Sequence, residues 1–407
     1  MKGLVHVLGA SVLAVCACSP VLADATRTMK IGVLNDVSGP YSDNTGEGSV
    51  TAAKMAAEDF MQQHPGFKVE IISADHQDKA DVGAAIARRW IDQKRVDAVA
   101  DVPNSAVGLA VNEVVRGSKA ALIASSAASS DLTGKYCSPN TIQWMFDTWA
   151  ASHMIGNYLV RHGGKKWYFI ATDNALGKSM VRDGTSVIGA GDGTVLGSVN
   201  VPINNTDYAS FILQANASGA DVIAFATAGG DTVSLIKQSS EFGLKQNGKT
   251  FAALLTTTND VEASGLGVGQ GLIITQPFYW DLNDASRAWS AKFSARQHGQ
   301  SPTAFHAGVY SSVLAYLNAA LAAGTNDAQA VIRKMKEQPI DDALFGPVVL
   351  RADGRAIHNM YILKVKDPKA SKGKWDLLEN VGVLSGPDAF RPIEQGGCAM
   401  VEQAKGN

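Results

Sequence analysis

The sequence has 407 residues and a net charge of −2, from 36 Lys plus Arg against 38 Asp plus Glu. At about 150 residues per domain, this length predicts two or three domains, and the composition, 46% hydrophobic and 18% charged, excludes a disordered, collagen-like or coiled-coil protein. The balanced charge, without a basic run, argues against nucleic acid as a partner, because phosphate binding needs concentrated positive charge.

Residues 1–23 read as a secretory signal peptide. A basic start and an apolar run over 7–17 precede a short segment ending in Ala23 that suits cleavage before Asp24. An imperfect lipobox ending in Cys18 is the alternative, and it would anchor the chain by a lipid. Both readings predict export, and because no later stretch reaches 18 uninterrupted apolar residues, we expect a soluble mature chain.

Strands and helices alternate through the first third of the mature chain. The pattern predicts strands over 30–34, 68–74, 96–100 and 120–124, with helices over 48–63, 81–92 and 106–116. Strands separated by helices of 10 to 15 residues imply right-handed crossovers and a parallel sheet. We therefore expect a first α/β unit here.

The same alternation restarts after Trp144 and predicts a second α/β unit. Its strands are expected over 167–171, 194–201, 222–226, 251–256 and 272–278, with helices over 177–188, 208–218 and 231–242. Helices over 284–297 and 303–323 and a strand over 360–365 follow. No low-complexity linker separates the units, so the chain is expected to cross between them more than once.

Small polar loops follow three strands of the first unit. They cover 35–41, 102–105 and 125–130, and ligands of open α/β sheets bind at such carboxyl ends of strands. Helix N-termini capped by Ser expose backbone N–H groups and a positive dipole end, which suit a carboxylate. Each Ser could serve as a cap alone, but three converging loops favour a small anionic ligand.

The sequence contains no complete match to the catalytic and cofactor motifs considered below. Gly177-Lys178-Ser179 ends like a phosphate loop, but Thr172 stands where the first glycine must turn the backbone. The sequence lacks a Gly-x-Ser-x-Gly elbow, a His-Glu-x-x-His motif and a Cys-x-x-Cys motif. We therefore expect no enzyme, no metal site and no cofactor.

Two cysteines remain after the predicted cleavage, Cys137 and Cys398. An even count in an exported chain favours a disulfide, which would tie the C-terminal tail to the first third of the chain. The alternative is two separate buried thiols.

Several segments together resemble a known family, the type I periplasmic substrate-binding proteins of ABC transporters, in the branched-chain amino acid binding branch. The resemblance covers essentially the whole mature chain and implies a periplasmic α/β protein of two Rossmann-like lobes with parallel sheets. It further implies three hinge crossovers, closure on a small ligand and delivery to an inner-membrane ABC permease, and we expect a monomer. The segments that carry it are 31–41, 52–60, 102–105, 127–133 and 278–281.

The crossovers would divide the chain into two lobes. We assign 24–144 and 278–350 to lobe one, and 145–277 and 351–407 to lobe two and the C-terminal tail. The resemblance implies that the carboxylate of a ligand is held near Ser105 and by the Ala127-Ala128-Ser129 stretch, while second-lobe loops contact the rest of it. The expected ligand-binding residues are Tyr41, Asn104, Ser105, Ala127, Ala128, Ser129, Leu176, Ala228, Gly229, Asp231, Thr257, Thr258 and Tyr279.

Two departures from amino-acid-binding relatives bear on the ligand. Thr258 or Asn259 stands where an acidic residue would hold an α-ammonium, and Leu176 replaces a tyrosine. An unpaired buried ammonium would cost several kcal/mol. We therefore expect an aromatic carboxylate such as a hydroxybenzoate or hydroxycinnamate. A branched-chain amino acid held by Asp231 or Asp260 is one alternative, and a ligand-sensing module for a signalling receptor is another.

Overall fold

The computed structural model describes residues 27–245 and 248–405, so the predicted signal peptide and Cys18 lie outside the described residues. A five-stranded parallel sheet forms lobe one, with the strand order β2-β1-β3-β4-β5. Its strands are β1 (Arg27–Asn35), β2 (Phe67–Asp75), β3 (Ala98–Asp101), β4 (Ala121–Ala124) and β5 (Thr141–Gln143).

Three helices connect these strands. They are α1 (Gly46–Gln63), α2 (Ala80–Arg89) and α3 (Ser105–Arg116), and a π-helical turn over Trp90–Lys94 extends α2. The turn brings the buried Trp90 ring onto β1, where a Cβ at Gly32 would lie 2.3 Å from the ring. Glycine at this position therefore permits the close helix-to-sheet contact.

The chain then crosses to lobe two. The segment up to the second crossing supplies the five parallel strands of the seven-stranded sheet in this lobe. Its elements to the second crossing are α4 (Thr148–Arg161), β6 (Lys166–Thr172), α5 (Ala175–Ala190), β7 (Thr194–Val201), α6 (Ala209–Ala217), β8 (Val222–Ala226), α7 (Gly230–Glu241), β9 (Thr250–Ala253), α8 (Thr258–Ser264), α9 (Leu266–Gly269) and β10 (Ile273–Gln276).

After β10 the chain returns to lobe one, where α11 packs against α1, and it then crosses to lobe two a third time. The three crossings confirm the expected hinge. The return elements are α10 (Asp284–Arg296), α11 (Ala304–Ala323), α12 (Ala328–Lys336) and the small antiparallel sheet β11 (Ile340–Asp342), β12 (Gly346–Leu350) and β13 (Ala356–Ile357). The last elements are β14 (Met360–Val365), β15 (Leu378–Leu384), α13 (Gly386–Ala389) and α14 (Ala399–Lys405).

The seven-stranded sheet has the order β15-β14-β10-β9-β8-β6-β7. The predicted parallel arrangement is confirmed for β10, β9, β8, β6 and β7, while β14 and β15 at one edge run antiparallel to their neighbours. The pattern missed β15, because most of its residues are exposed or half-buried and leave little apolar signal. It also missed α4, where ten of fourteen residues are buried and the polar face that marks an amphipathic helix is reduced.

Membrane-spanning helices were also sought in the described parts of the chain. No single helix there is long and apolar enough to cross a membrane, and α11 with α12 meets the criterion only as a pair bent by 101°.

A disulfide joins Cys137 to Cys398, with 5.6 Å between the two Cα atoms, which confirms the predicted pairing. The tail, assigned on sequence with lobe two, therefore lies against lobe one, where the Arg391 guanidinium donates to the Ser130 carbonyl at 3.0 Å. The rest of the division, at 144/145, 277/278 and 350/351, stays a prediction.

A buried ion pair lies where the crossings meet. The Arg355 guanidinium is 3.3 Å from the Asp147 carboxylate, and both side chains are almost fully buried. The Phe390 ring lies 4.9 Å from the guanidinium carbon. Burial lowers the pKa of Arg355 to about 10, and Asp147 opposes this shift. Breaking such a pair leaves an uncompensated buried charge, so it holds the hinge segments in one arrangement.

Candidate functional site

The carboxyl ends of the two sheets face each other across an enclosed pocket. The pocket has room for about one water molecule in this arrangement of the lobes. Loops of both lobes build its walls, as expected for ligand sites in open α/β sheets. Lobe one contributes Tyr41, Asn44, Thr45, Pro103, Ser126, Ala128 and Phe305, and lobe two contributes Leu176, Ala228 and Leu255.

The β3–α3 loop carries the most suggestive polar group. Asn104 caps α3, because its side-chain oxygen accepts from the Ala106 and Val107 N–H groups at 2.7 and 3.0 Å. Ser105, the first residue of α3, is 2% exposed, and its hydroxyl has no hydrogen-bond partner among the described residues. Neither Asn104 nor Ser105 is among the pocket-lining residues, but Pro103, the residue before Asn104, is. An unpaired buried hydroxyl costs free energy, so Ser105 is the stronger candidate ligand contact of the two.

The backbone before this helix is strained. Asp101 and Val102 have φ angles of +78° and +60°, in the left-handed region that a β-branched residue such as Val strongly disfavours. Burial raises the pKa of Asp101 to about 6, and the Ser126 hydroxyl donates to its carboxylate. This turn directs the start of α3 to the carboxyl end of the sheet.

The Ala127-Ala128-Ser129 stretch lies where predicted, but its serine is already engaged. The Ser129 hydroxyl is 3.0 Å from the Ser179 hydroxyl of α5, across the cleft. The Gln143 amide holds the stretch by donating to the Ala127 and Ser129 carbonyls at 2.8 and 3.0 Å. Ala128 lines the pocket, whereas Ser129 bridges the lobes.

Lobe two presents an apolar wall, and its buried acid points elsewhere. Leu176 and Ala228, two of the predicted residues, line the pocket. The Asp231 carboxylate accepts from the Tyr208 hydroxyl at 2.8 Å and from the Asn204 N–H at 3.3 Å. Burial raises the pKa of Asp231. It is therefore held within lobe two and is not among the pocket-lining residues.

The backbone at Gly229 and Gly230 approaches lobe one closely, and the Gly230 N–H donates to the Pro40 carbonyl at 3.4 Å. A Cβ at Gly229 would lie 2.3 Å from the Pro40 carbonyl oxygen of lobe one. Its φ of +58° is also a conformation that favours glycine. Of the predicted Ala228 to Asp231 segment, Gly229 and Gly230 therefore contact the facing lobe.

Thr257 and Thr258 start α8. Thr257 and Asp260 form a capping box, and neither threonine is among the residues that line the pocket. Leu255, two residues earlier, takes that position. Burial raises the pKa of Asp260 to about 6, although its carboxylate accepts from the Thr257 N–H at 2.7 Å. Asp260 is engaged both by its own lobe and by the Asn44 amide of lobe one, which donates to its carboxylate at 3.1 Å.

The structure places Tyr279 away from the pocket. Its hydroxyl donates to the Trp375 carbonyl at 2.8 Å and accepts from the Leu377 N–H at 3.1 Å. The ring packs in the second-lobe core and not against the pocket. From the sequence, an aromatic residue next to a predicted hinge could either anchor the hinge or contact a ligand, and no pattern distinguished these two roles.

Sequence reasoning missed six of the ten lining residues, although the first four of them lie in or next to the predicted loops. They are Asn44, Thr45, Pro103, Ser126, Leu255 and Phe305. Phe305 comes from the first turn of α11, about 200 residues after the other lobe-one loops, and its ring stacks on Phe146 at 6.0 Å. Phe305 reaches the pocket because the chain returns to lobe one after β10.

Asp78 and Tyr41 form a polar corner beside the pocket. The Tyr41 ring is buried, which raises the pKa of its hydroxyl, and Asp78 reinforces this, while the Asn174 side chain of lobe two opposes it. Burial likewise raises the pKa of Asp78 to about 6, and the Asn104 amide donates to its carboxylate. This half-buried carboxylate was not among the predicted site residues.

The family described as periplasmic binding protein matches residues 28–374. The chain belongs to this family. A periplasmic binding protein of Burkholderia mallei is 39% identical, with a TM-score of 0.89 over 92% of this chain and 99% of that chain. A branched-chain amino acid ABC transporter periplasmic ligand-binding protein of Burkholderia xenovorans LB400 is 35% identical, with a TM-score of 0.82 over 91% and 99%.

A Rhodopseudomonas palustris ABC transporter solute-binding protein in complex with benzoate shares the fold at 19% identity, with a TM-score of 0.76 over 88% of this chain and 97% of that chain. No curated protein matches with significance. This periplasmic binding protein is thus a substrate-binding protein of an ABC transporter, and its family implies a periplasmic location, small-molecule ligands and delivery to an ABC permease.

Proposed function

We propose that this periplasmic binding protein captures an aromatic carboxylate, of the hydroxybenzoate or hydroxycinnamate kind, between its lobes and delivers it to an inner-membrane ABC permease as a monomer. The observation that carries the proposal is the Ser105 hydroxyl, buried and without a partner among the described residues at the start of α3. At a helix N-terminus, a hydroxyl and the free backbone N–H groups can donate hydrogen bonds to a carboxylate, and the positive end of the helix dipole stabilises its charge.

The opposite wall supports a ligand without an amine. Leu176, Ala228 and Leu255 carry no hydrogen-bonding side-chain atom. The two second-lobe acids, Asp231 and Asp260, already accept hydrogen bonds from protein groups, Asp231 from its own lobe and Asp260 from both lobes. A charged amine against this wall would lose its water without gaining a partner, which is costly.

The closed arrangement bears on how a ligand is taken up. Since the pocket has room for about one water molecule, an aromatic ring needs the lobes to separate before it can bind. Phe305 and Tyr41 of lobe one and Leu176 of lobe two would then pack on the ring faces and edges. Three connecting segments between the lobes are consistent with such a hinge motion, in which the lobes open and close around the ligand.

A melting-temperature screen tests the proposal. The mature protein, unfolded and refolded to remove carried ligand, is mixed with 4-hydroxybenzoate, 4-hydroxycinnamate or L-leucine. We expect a rise in melting temperature with the aromatic acids, because ligand at about 100 times its Kd adds roughly 2.7 kcal/mol. Ser105→Ala should weaken this binding by roughly tenfold to a hundredfold, since a hydrogen bond to a charged group contributes about 1.5–3 kcal/mol.

Ser239→Ala is the matched control. Ser239 of α7 is also fully buried, with a hydroxyl that lacks a partner in the described chain. It lies near the C-terminal end of its helix, whereas Ser105 begins α3, two residues after the pocket-lining Pro103. It should leave the affinity unchanged. No shift with any aromatic acid, or equal affinity of wild type and Ser105→Ala, would contradict the proposed ligand class.

A branched-chain amino acid is the second candidate, and Asp78 is the observation that favours it. Its half-buried carboxylate hydrogen-bonds to Asn104, the neighbour of Ser105, so an ammonium next to a bound carboxylate could reach it. With its pKa raised to about 6, Asp78 is charged at neutral pH and becomes protonated in mild acid. The Burkholderia xenovorans relative is described as a branched-chain amino acid transporter protein.

The two candidates predict opposite pH dependence. As the pH falls from about 8 to about 5, protonation of Asp78 should weaken leucine binding and leave or improve binding of an aromatic acid. Asp78→Asn should reduce this dependence, the remainder coming from Asp101 and Asp260, which titrate in the same range. Asp81→Asn, which removes an exposed carboxylate on α2, should leave the dependence unchanged. Calorimetric titration with L-leucine at both pH values measures it, and leucine binding that is tight and independent of Asp78 would remove Asp78 from the site.

A further inference from the structure

A buried hydrogen-bond cluster joins the lobes at one side of the pocket. Asn44 of lobe one accepts from the Thr257 hydroxyl at 2.7 Å and donates to the two Asp260 carboxylate oxygens at 3.1 and 3.3 Å. All three side chains are 2–3% exposed. Beside them, the Asn259 amide donates to the Asp43 carbonyl at 2.8 Å. Every polar atom of the Asn44 side chain is therefore used across the cleft.

Both halves of this cluster are fixed by their own lobes. In lobe one the Asn44 N–H donates to the Tyr41 carbonyl at 3.0 Å, and the Asn44 carbonyl accepts from the Thr303 hydroxyl at 2.8 Å. In lobe two the capping box at the start of α8 fixes Thr257 and Asp260. Because neither half can adapt, the hydrogen bonds form only when the lobes reach one relative position.

Asn44 also lines the ligand pocket, and Leu255 lines it from two residues before Thr257. We propose that Asn44, Thr257 and Asp260 form a latch that makes the closed state of the lobes more stable and so slows the release of a captured ligand. In this role the three residues position the lobes. The inference rests on ligand capture between the lobes and not on which ligand is captured.

The physical reason is the cost of reopening. Separation of the lobes exposes Asn44 and leaves Asp260, which is buried beside α8, to recruit water in place of its amide donor. Buried hydrogen bonds to a charged group are stronger than those between neutral groups. The open-to-closed equilibrium therefore depends on a contact whose two halves lie in different lobes.

The test measures the lobe separation directly. Spin labels on Lys54→Cys in α1 and Lys237→Cys in α7, both exposed, report a short distance for closed and a long distance for open molecules. Distances are recorded without ligand and with 4-hydroxybenzoate or L-leucine. Asn44→Ala and Thr257→Val should each lower the ratio of closed to open molecules by about fivefold or more, and Thr257→Ser, which keeps the hydroxyl, should restore it.

The double variant separates a latch from local damage. If Asn44 and Thr257 act through one contact, the double variant should lower the ratio no further than either single variant. Single variants that lower the melting temperature but leave the ratio unchanged would overturn the latch, because only helix capping is then lost. A wild type that gives only the long distance under every condition would also overturn it. Failure of the ligand proposal is distinct, since it is seen as a missing thermal shift.

Discussion

Replacing Gly229 with alanine is expected to weaken ligand binding by about tenfold to a hundredfold, since the added Cβ has no room in the closed state and a backbone strain of about 1–3 kcal/mol adds to the clash. The Cβ would lie 2.3 Å from the Pro40 carbonyl oxygen of the facing lobe. A contact below 3.0 Å with backbone cannot be relieved by a side-chain rotation, so the lobes would have to stay further apart. Fluorescence or calorimetric titration with the ligand found in the melting-temperature screen measures the loss.

Gly230→Ala is the matched control for this prediction. Gly230 is the next residue and begins α7, and a Cβ there would meet nothing within 4 Å. It should bind ligand as the wild type does. If Gly229→Ala also keeps its affinity, the Pro40 contact does not limit closure. If it loses stability in proportion to its affinity, the strain acts within lobe two and not between the lobes.

Removal of the disulfide should produce the largest loss of stability. The Cys137 to Cys398 bridge closes 261 residues of chain, and removing a native disulfide costs about 2–5 kcal/mol, in part because the unfolded chain gains freedom. Cys137→Ala/Cys398→Ala should therefore melt several degrees below the wild type in thermal unfolding followed by circular dichroism. Ligand affinity should stay unchanged, since none of the pocket-lining residues comes from the tail.

Reduction provides the control for the disulfide. A reducing agent should lower the melting temperature of the wild type to that of the double variant and leave the variant itself unaffected. The two cysteines pack with Val401 in a small buried cluster, and alanine keeps that site apolar. Equal melting temperatures of oxidised and reduced wild type would show that the tail contributes little to stability.

The lobe architecture could be predicted from the sequence because it depends on local patterns of apolar residues. Alternating short apolar strands and helices of 10 to 15 residues carry their own periodicity, and the crossover rule then leaves few topologies. β1, β3 and β4 with α1 and α3 lie close to the predicted ranges. Elements without such a signal were missed: β5 has three residues, and α4 is buried on most sides.

Local sequence patterns were enough to predict the two α/β units, the loops that meet at the cleft and the disulfide between the two cysteines. The pocket positions of Ala128, Leu176 and Ala228 could be expected because these residues lie in or directly after loops at the carboxyl ends of strands, where position in the unit fixes position in the fold. Three other features became visible only in the folded chain: Phe305 lines the pocket, Asn44 contacts Asp260, and Tyr279 packs in the second-lobe core. Each of these depends on residues tens to hundreds of positions apart, brought together by packing that no local periodicity encodes.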